Sequence, residues 1–299
     1  MEKQITRRDL LKKTAAMAVG GSILLNTPLK SWAKETQTVK KSKVVLIRNE
    51  KLFADGDQPD PAIAAQMLDY ALCTLTRKGN AKEAWASIVK PTDVVGIKTN
   101  EWDKFPTPEI VNDLLRERVI QAGVKEDRVN VKDRDVLDDP VFQKATALIN
   151  VRPMRTHAWA GVGTCIKNYI QFSSNRPSYH DDSCASLALL HELPIVKGKT
   201  KLHILILFNP TFHHRTAQDI SPEYQWKYSG LIAGFDPVAV DSVGLRIIQA
   251  KRNAFFGENK PLNPPAKHIE LADTRYHLGN ADPEKIELVK LGWDSESFV

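Results

Sequence analysis

Short apolar runs alternate along the chain with segments whose apolar residues recur at helical spacing. In the first half, four runs rich in Val, Ile and Leu predict strands at 43–48, 93–98, 128–132 and 147–150. The intervening segments 61–78 and 108–122 are predicted to be helices. Gly79 and Gly123, which follow them, are typical of the residue at which a helix stops. Thr107 and Pro108 have the residue types of an N-cap and a first helical position.

The second half continues the alternation. Strands are predicted at 202–208, 230–235 and 286–289, and helices at 182–193, at 236–252 and in a segment that ends at Arg275. The strands are continuously apolar rather than alternating, which is typical of strands buried on both faces. The pattern therefore predicts an α/β fold with a mostly parallel sheet and helices on both faces. In such sheets ligands bind beyond the carboxyl ends of the strands.

Residues 1–33 have the pattern of a twin-arginine export signal. Thr6–Lys12 holds the paired arginines Arg7 and Arg8, a mildly apolar run follows, and small residues at 31 and 33 suit a cleavage site. The prediction is a periplasmic or other extracytoplasmic protein, exported in the folded state by the twin-arginine translocase. Sixteen mildly apolar residues, 14–29, fall short of the ~20 that span a bilayer. No stable membrane span is expected after cleavage, although an uncleaved signal kept as an anchor is an open alternative.

Residues 34–42 are rich in Lys, Thr and Gln and predict a flexible tether, so that 43–299 forms one α/β domain. The formal charge of +6 belongs mainly to the signal, because residues 34–299 hold 36 Lys and Arg against 34 Asp and Glu. A nucleic-acid partner is not expected for a body of charge +2 without a basic stripe. Three cysteines without a CxxC motif exclude a four-thiolate cluster and allow one internal disulfide at most.

Polar residues at two strand ends are the first candidates for chemistry. Lys98 and Asn100 follow the second predicted strand, where they could contact a ligand or be a solvated lysine and a turn asparagine. His157, Lys167 and Asn168 lie in a connection with small residues that suits close approach of an anion. His157 could transfer a proton or bind a metal, and Lys167 could bind an anion or serve as an amine nucleophile. The alternative is a glycine-rich turn with a surface lysine and a capping histidine.

Two acidic residues open the helix predicted at 236–252. Asp236 is a ligand candidate, although its position before Pro237 is explained by helix capping. Asp241 lies in an otherwise apolar turn, and a buried carboxylate needs a partner, so a nearby lysine or metal is expected.

Several of these motifs occur in the order found in the domain-of-unknown-function 362 (DUF362) family, which the chain resembles over about 43–290. They are Val95–Asn100, Thr107-Pro108, Thr156-His157 followed by Lys167-Asn168, and Asp236–Asp241. Some relatives in that family carry four-cysteine iron–sulfur motifs, and this chain has none.

A more distant resemblance is to the lactate racemase family, whose enzymes use a nickel-pincer cofactor. His157–Gly161 and Lys167 match its pattern of a histidine, an Ala-Gly pair and a later lysine. The resemblance implies proton and hydride chemistry at His157 and a covalently attached cofactor at Lys167. Asp133–Asp135 replaces the family's Gly-x-His-Arg motif, and Lys98 and Asn100 stand where the family has Asp and Arg, so the pincer cofactor itself is not expected.

These inferences lead to one main hypothesis and one rival. The main hypothesis is an exported α/β protein that binds a small anion, a metal cofactor or both in a cleft, with acid–base or redox chemistry. His157 and Lys167 would be catalytic, and Lys98, Asn100, Asn168, Asp236 and Asp241 would surround the ligand. The rival is a non-catalytic extracytoplasmic binding or assembly factor. The substrate, the metal and any cofactor stay open at this point.

Overall fold

The strands of the described residues form one eight-stranded sheet. The computed structural model describes residues 41–214 and 219–299, so the predicted signal and most of the predicted tether lie outside the described residues. The strands are β1 (Ser42–Arg48), β2 (Val95–Lys98), β3 (Val129–Lys132), β4 (Ala147–His157), β5 (Gly161–Gly163), β6 (Thr200–Thr211), β7 (Gly230–Gly234) and β8 (Ile286–Gly292).

The strand order is β3-β2-β4-β6-β7-β1-β8, with β5 paired to the far end of β4. Strand β2 runs parallel to β3 and β4, β4 runs parallel to β6, and β1 runs parallel to β8. Strand β7 is antiparallel to both of its neighbours, β6 and β1. All strands except β5 and β7 therefore point the same way, which confirms the prediction of a mostly parallel sheet.

Helices cover both faces of the sheet, as predicted. They are α1 (Pro61–Thr76), α2 (Ala81–Ile88), α3 (Glu109–Gln121), α4 (Pro140–Gln143), α5 (Cys165–Asn168), α6 (Asp181–Cys184), α7 (Pro237–Phe256) and α8 (Lys267–Thr274). Val45 and Ile47 of β1 belong to the core under α1, α2 and α3, whereas Val44 and Leu46 belong to the core under α7 and α8. No helix among the described residues combines the length and apolar character that a membrane crossing needs.

Two helix boundaries differ from those predicted at Gly79 and Thr107. Helix α1 ends with Arg77 as its C-cap, in the left-handed conformation, two residues before Gly79. Helix α3 begins after Pro108, and Thr107 does not cap it. The Thr107 hydroxyl instead accepts a hydrogen bond from the Asn100 backbone N–H at 3.2 Å, which fixes the chain beyond β2.

Three larger differences concern a strand, a helix that is absent and a helix that was not expected. Strand β4 extends seven residues past its predicted end at Asn150, because charged residues and a proline interrupted the apolar signal. The predicted helix 182–193 is wrong: Asp182 and Ser183 have positive φ angles, and a 3-10 helix, Leu187–Glu192, follows. The short helix α2 was not predicted.

Gly161 opens β5 at a point where another loop passes close by. Its φ is +72°, and a Cβ built there would lie 2.7 Å from the carbonyl oxygen of Pro264 and 2.9 Å from the backbone nitrogen of Ala266. The glycine therefore serves two needs, a left-handed backbone and close contact between two chain segments. The small residue does allow another group to come close, as predicted, but that group is the protein's own backbone.

Gly161→Ala should destabilise the protein more than Gly198→Ala, as measured by urea unfolding. Gly198 has the same φ of +72° with open space around its Cβ position, so it isolates the backbone cost of roughly 1–2 kcal/mol. The clash at Gly161 should add a further ~1–3 kcal/mol. Equal losses in the two variants would contradict this account of the Gly161 contact.

Candidate functional site

A pocket of about 200 Å³ opens at the carboxyl edge of the parallel strands. It lies where β2, β3 and β4 end and where the single turn of α5 begins the next segment. Its walls consist mainly of charged and aromatic side chains: Asn100, Trp102, Asp133, Arg134, Arg152, Arg155, His157, Lys167, Asn168, Ile170, Gln171, Arg176 and His180. The position agrees with the rule that ligands of open α/β sheets bind at this edge.

Strand β4 supplies three of these side chains, Arg152, Arg155 and His157. Its pairing with β6 is irregular at this point, because β4 advances from Pro153 to Arg155 while β6 advances from Ile206 to Thr211, so the extra residues belong to β6. Arg152 and Arg155 both reach the pocket, although residues 152 and 155 would point to opposite faces of a regular strand.

The two arginines are buried without their full set of partners. Arg152 is 4 % exposed and Arg155 is 5 % exposed, and the Nε atom of each has no hydrogen-bond acceptor. Burial lowers the pKa of both guanidinium groups, and the proximity of the two arginines lowers that of Arg155 further. Asp133 and Asp241 oppose this shift for Arg152, but no carboxylate of the described residues forms an ion pair with either arginine. Burial of a charge without a paired partner is costly, so the pocket holds an unmet demand for negative charge.

Arg155 is nevertheless fixed in position. Its guanidinium carbon lies 4.0 Å from the centre of the Trp102 ring, and its Nη1 donates to the Thr156 carbonyl oxygen at 3.1 Å. Stacking of this kind leaves the in-plane N–H groups of the guanidinium free to bind an anion.

Lys167 lines the pocket and is 3 % exposed. The only acceptor within reach of its Nζ is the Cys184 sulfur, at 3.7 Å, and no carboxylate forms an ion pair with it in the described part of the chain. Burial, together with the Arg152 and Arg155 charges, lowers the pKa of Lys167 to about 8, against a weaker opposing effect of Cys184. A substantial fraction of this amine is therefore neutral near pH 8.

His157 presents a neutral imidazole to the pocket. Its Nδ1 accepts a hydrogen bond from the Trp159 backbone N–H at 3.2 Å, which places the ring proton of the neutral form on Nε2. Burial lowers its pKa well below the usual value, and the Lys167 and Arg155 charges add to the shift. At neutral pH the ring can donate an Nε2–H hydrogen bond to a ligand.

Lys98 lies behind the pocket rather than in its wall. It is fully buried, and its Nζ donates to Asp133 Oδ1 at 2.5 Å and to the Thr99 carbonyl oxygen at 2.7 Å. Burial lowers the pKa of Lys98 to about 8, although Asp133 opposes the shift. Burial acts to raise the pKa of Asp133, but the ammonium group outweighs it and the pKa lies below its usual value. The predicted ligand contact of Lys98 would have to act through Asp133, because Asp133 already neutralises the Lys98 charge and Lys98 does not line the pocket.

The two asparagines have different roles. Asn168 donates through Nδ2 to the Asn150 side chain at 2.9 Å and to the Lys98 and Val151 carbonyl oxygens at 3.1 Å, so it joins α5 to β2 and β4. Asn100 lines the pocket with a buried Oδ1 atom that has no donor. The structure thus leaves Asn100 available to a ligand and commits the Asn168 amide to the scaffold.

Asp241 provides the negative charge at the start of α5. Its two carboxylate oxygens accept the backbone N–H groups of Cys165 and Ile166, each at 2.9 Å. Burial raises the pKa of Asp241 to about 7, while these two hydrogen bonds act in the opposite direction. The expected lysine or metal partner is not what the structure shows, and the helix start expected to bind a ligand is occupied by this carboxylate.

Asp236 lies at the opposite edge of the sheet, away from the pocket. It follows β7, and because β7 is antiparallel its carboxyl end meets the amino end of β1. The carboxylate caps α7 by accepting the Val238 and Ala239 N–H groups, and it also accepts from the Ser42 hydroxyl. The structure thus places the predicted ligand-binding residue Asp236 outside the pocket, in the helix-capping role that was its alternative.

Arg152 and the segment that closes the pocket were not among the predicted site residues. A charged residue inside a run that is otherwise buried was a usable signal for Arg152. Gln171, Arg176 and His180 come from an irregular segment with no periodic pattern, so nothing in the sequence predicted their position. Among residues 41–214 and 219–299, no three His, Cys, Asp or Glu side chains converge as a metal ion would require.

Comparison with known families gives one match. The model of a domain of unknown function, DUF362, matches residues 95–246. The chain belongs to the DUF362 family. The matched region runs from β2 into α7 and contains most of the pocket of this DUF362 protein. No curated protein and no solved structure matches the chain.

The Lys98–Asp133 pair should behave as a structural ion pair. Lys98→Met leaves a buried carboxylate without its partner and should lower the free energy of unfolding by roughly 3–5 kcal/mol in urea denaturation. The double variant Lys98→Met/Asp133→Asn, which removes both charges, should regain part of that loss. A Lys98→Met variant that is as stable as the parent protein would contradict this role.

Proposed function

We propose that this DUF362 protein is exported and binds a small organic anion in the arginine pocket, where it carries out acid–base chemistry on the anion. The observation that supports the proposal most strongly is the pair of buried guanidinium groups, Arg152 and Arg155, whose Nε atoms both lack an acceptor. A ligand carboxylate accepts two parallel N–H bonds from a guanidinium group and matches its shape and charge.

The charge balance of the pocket supports an anion. Two exposed arginines at the rim, Arg134 and Arg176, add to the positive charge of Arg152, Arg155 and Lys167. Asp133, the one acidic residue in the wall, already pairs with Lys98. Positive charge on the rim and the floor attracts anions over a distance of about 10 Å at moderate salt.

The size of the pocket limits the ligand. A volume of about 200 Å³ corresponds to several water molecules and suits a compound of roughly six to ten non-hydrogen atoms. The polar groups around this volume fit a short carboxylate with a second oxygen function. The carboxylate would bind the guanidinium groups, and the Nε2–H of His157 would donate to the second oxygen.

Two groups support turnover rather than binding alone. Lys167, with a pKa of about 8, exchanges protons readily near neutral pH, and it lies in the same wall as the His157 ring. Because the described residues contain no cluster of metal ligands, we favour acid–base chemistry over the metal-dependent form of the hypothesis. A ligand bound without turnover would favour the non-catalytic rival.

Arg152→Gln should weaken the binding of short carboxylates at least tenfold, because a buried charged hydrogen bond contributes roughly 1.5–3 kcal/mol. The measurement is isothermal titration calorimetry with a panel of two- to five-carbon hydroxy and oxo acids. Arg246→Gln, which changes a half-buried arginine of α7 outside the pocket, is the matched control and should bind like the parent protein. If no compound of the panel binds the parent protein, or if Arg152→Gln binds as tightly as the parent, the proposal is wrong.

Export rests on the twin-arginine pattern of residues 1–33, and it is tested separately. Replacing Arg7 and Arg8 together with lysine should keep the protein in the cytoplasm of a bacterial host, because the charge is conserved while the pairing motif is lost. Cell fractionation followed by immunoblotting measures the distribution. Undiminished export of the double-lysine variant would contradict the twin-arginine route.

A further inference from the structure

Lys167 and Lys98 are both buried lysines with a pKa lowered to about 8, yet their surroundings differ in a way that bears on chemistry. Lys98 gives its proton donors to Asp133 and to the Thr99 carbonyl oxygen, and it does not line the pocket. Lys167 lines the pocket, and within 41–214 and 219–299 the Cys184 thiol, at 3.7 Å, is the only acceptor of its Nζ. A paired ammonium group is a structural charge, whereas an unpaired amine that faces a ligand cavity is available to react.

The charges around the Lys167 amine keep it reactive. The positive charges of Arg152 and Arg155 disfavour its protonation, and the neutral His157 ring does not compensate for them. A lysine placed in a desolvated site beside other cations is a nucleophile toward carbonyl carbon. The same two guanidinium groups would hold a carboxylate, so the atom next to that carboxylate would lie within the same small cavity.

We propose that Lys167 forms a Schiff base with the carbonyl carbon of a small 2-oxo carboxylate bound by Arg152 and Arg155. The inference rests on the proposed function, since it takes the anion site as given and names the substrate class and the reacting atom. It assigns a covalent role to Lys167 that requires no bound metal.

The step balances without an oxidant or a reductant. The neutral Nζ attacks the carbonyl carbon at C2, an N–C bond forms, and the electron pair of the C=O π bond moves to oxygen, which takes up a proton. The C–O bond of the resulting carbinolamine then breaks as the C=N bond forms, and the hydroxyl group leaves as water. The two protons lost by the nitrogen over the whole step balance the two that the oxygen gains. The His157 Nε2–H is placed in the pocket wall to donate to the carbonyl oxygen as its negative charge develops.

Borohydride trapping tests this step on the full-length protein. Pyruvate is the probe, and sodium borohydride reduces an imine to a stable secondary amine, which raises the protein mass by that of pyruvate less one oxygen atom. Peptide mapping then identifies the modified lysine. The expected result is one dominant adduct at Lys167 and none at Lys98. Lactate has a hydroxyl group in place of the ketone at C2, so it should give no adduct of its own and should block the adduct of pyruvate.

The pH dependence gives a second readout of the same amine. The adduct should form several-fold faster at pH 8 than at pH 6, because the neutral fraction of an amine with a pKa of about 8 rises steeply across that interval. Lys167→Arg keeps a positive charge without an amine nucleophile and should abolish the adduct. Circular dichroism would check that this variant is folded. Lys197→Arg, at an exposed lysine paired with Glu192, is the matched control and should be trapped like the parent protein.

Calorimetry on the same samples separates the two proposals. Pyruvate binding without any adduct at Lys167 would overturn the Schiff base and leave the anion site intact. An adduct that maps to Lys98 or is spread over surface lysines would overturn the Schiff base as well. No binding of pyruvate, lactate or the other short carboxylates would overturn the anion site together with the inference that depends on it.

Discussion

Uncompensated positive charge is the constraint on which the arrangement of this molecule depends. Arg152, Arg155 and Lys167 are buried at the carboxyl edge of the sheet, and no carboxylate of the described residues forms an ion pair with them. Buried charges of this kind cost stability unless a partner compensates them. The buried acids at this edge, Asp133 and Asp241, already have partners of their own, so the uncompensated charge is what the proposed anion site would require.

Much of the local structure serves to hold that charge in place. Arg152 and Arg155 of β4 both line the pocket, and Gly163 leaves room for the Arg152 guanidinium, because a Cβ there would lie 3.1 Å from Nη2. Asp241 fixes α5 by accepting its first N–H groups, and Lys167 is carried on that turn. The buried acids therefore hold the fold together, whereas the cations remain available to the proposed ligand.

The sequence predicted those features that depend on local pattern. Continuous apolar strands alternating with helical segments predicted the α/β sheet, and strand ends predicted the edge at which His157, Lys167 and Asn100 meet. It did not show that Asp236 lies at the opposite edge from the pocket, because the reversal of β7 is a property of the whole sheet and leaves no mark in a five-residue run. It also did not identify the partners of Lys98 and Asp241, since these partners come from distant parts of the chain, 35 residues away for Lys98 and about 75 for Asp241.

A crystal structure of the protein soaked with pyruvate would show whether the arginine pocket binds a carboxylate. We expect density in the pocket with carboxylate oxygens within hydrogen-bond distance of the Arg152 and Arg155 guanidinium groups. A structure in which a carboxylate of the chain itself turns inward and pairs with both arginines, with pyruvate absent from the pocket, would contradict it.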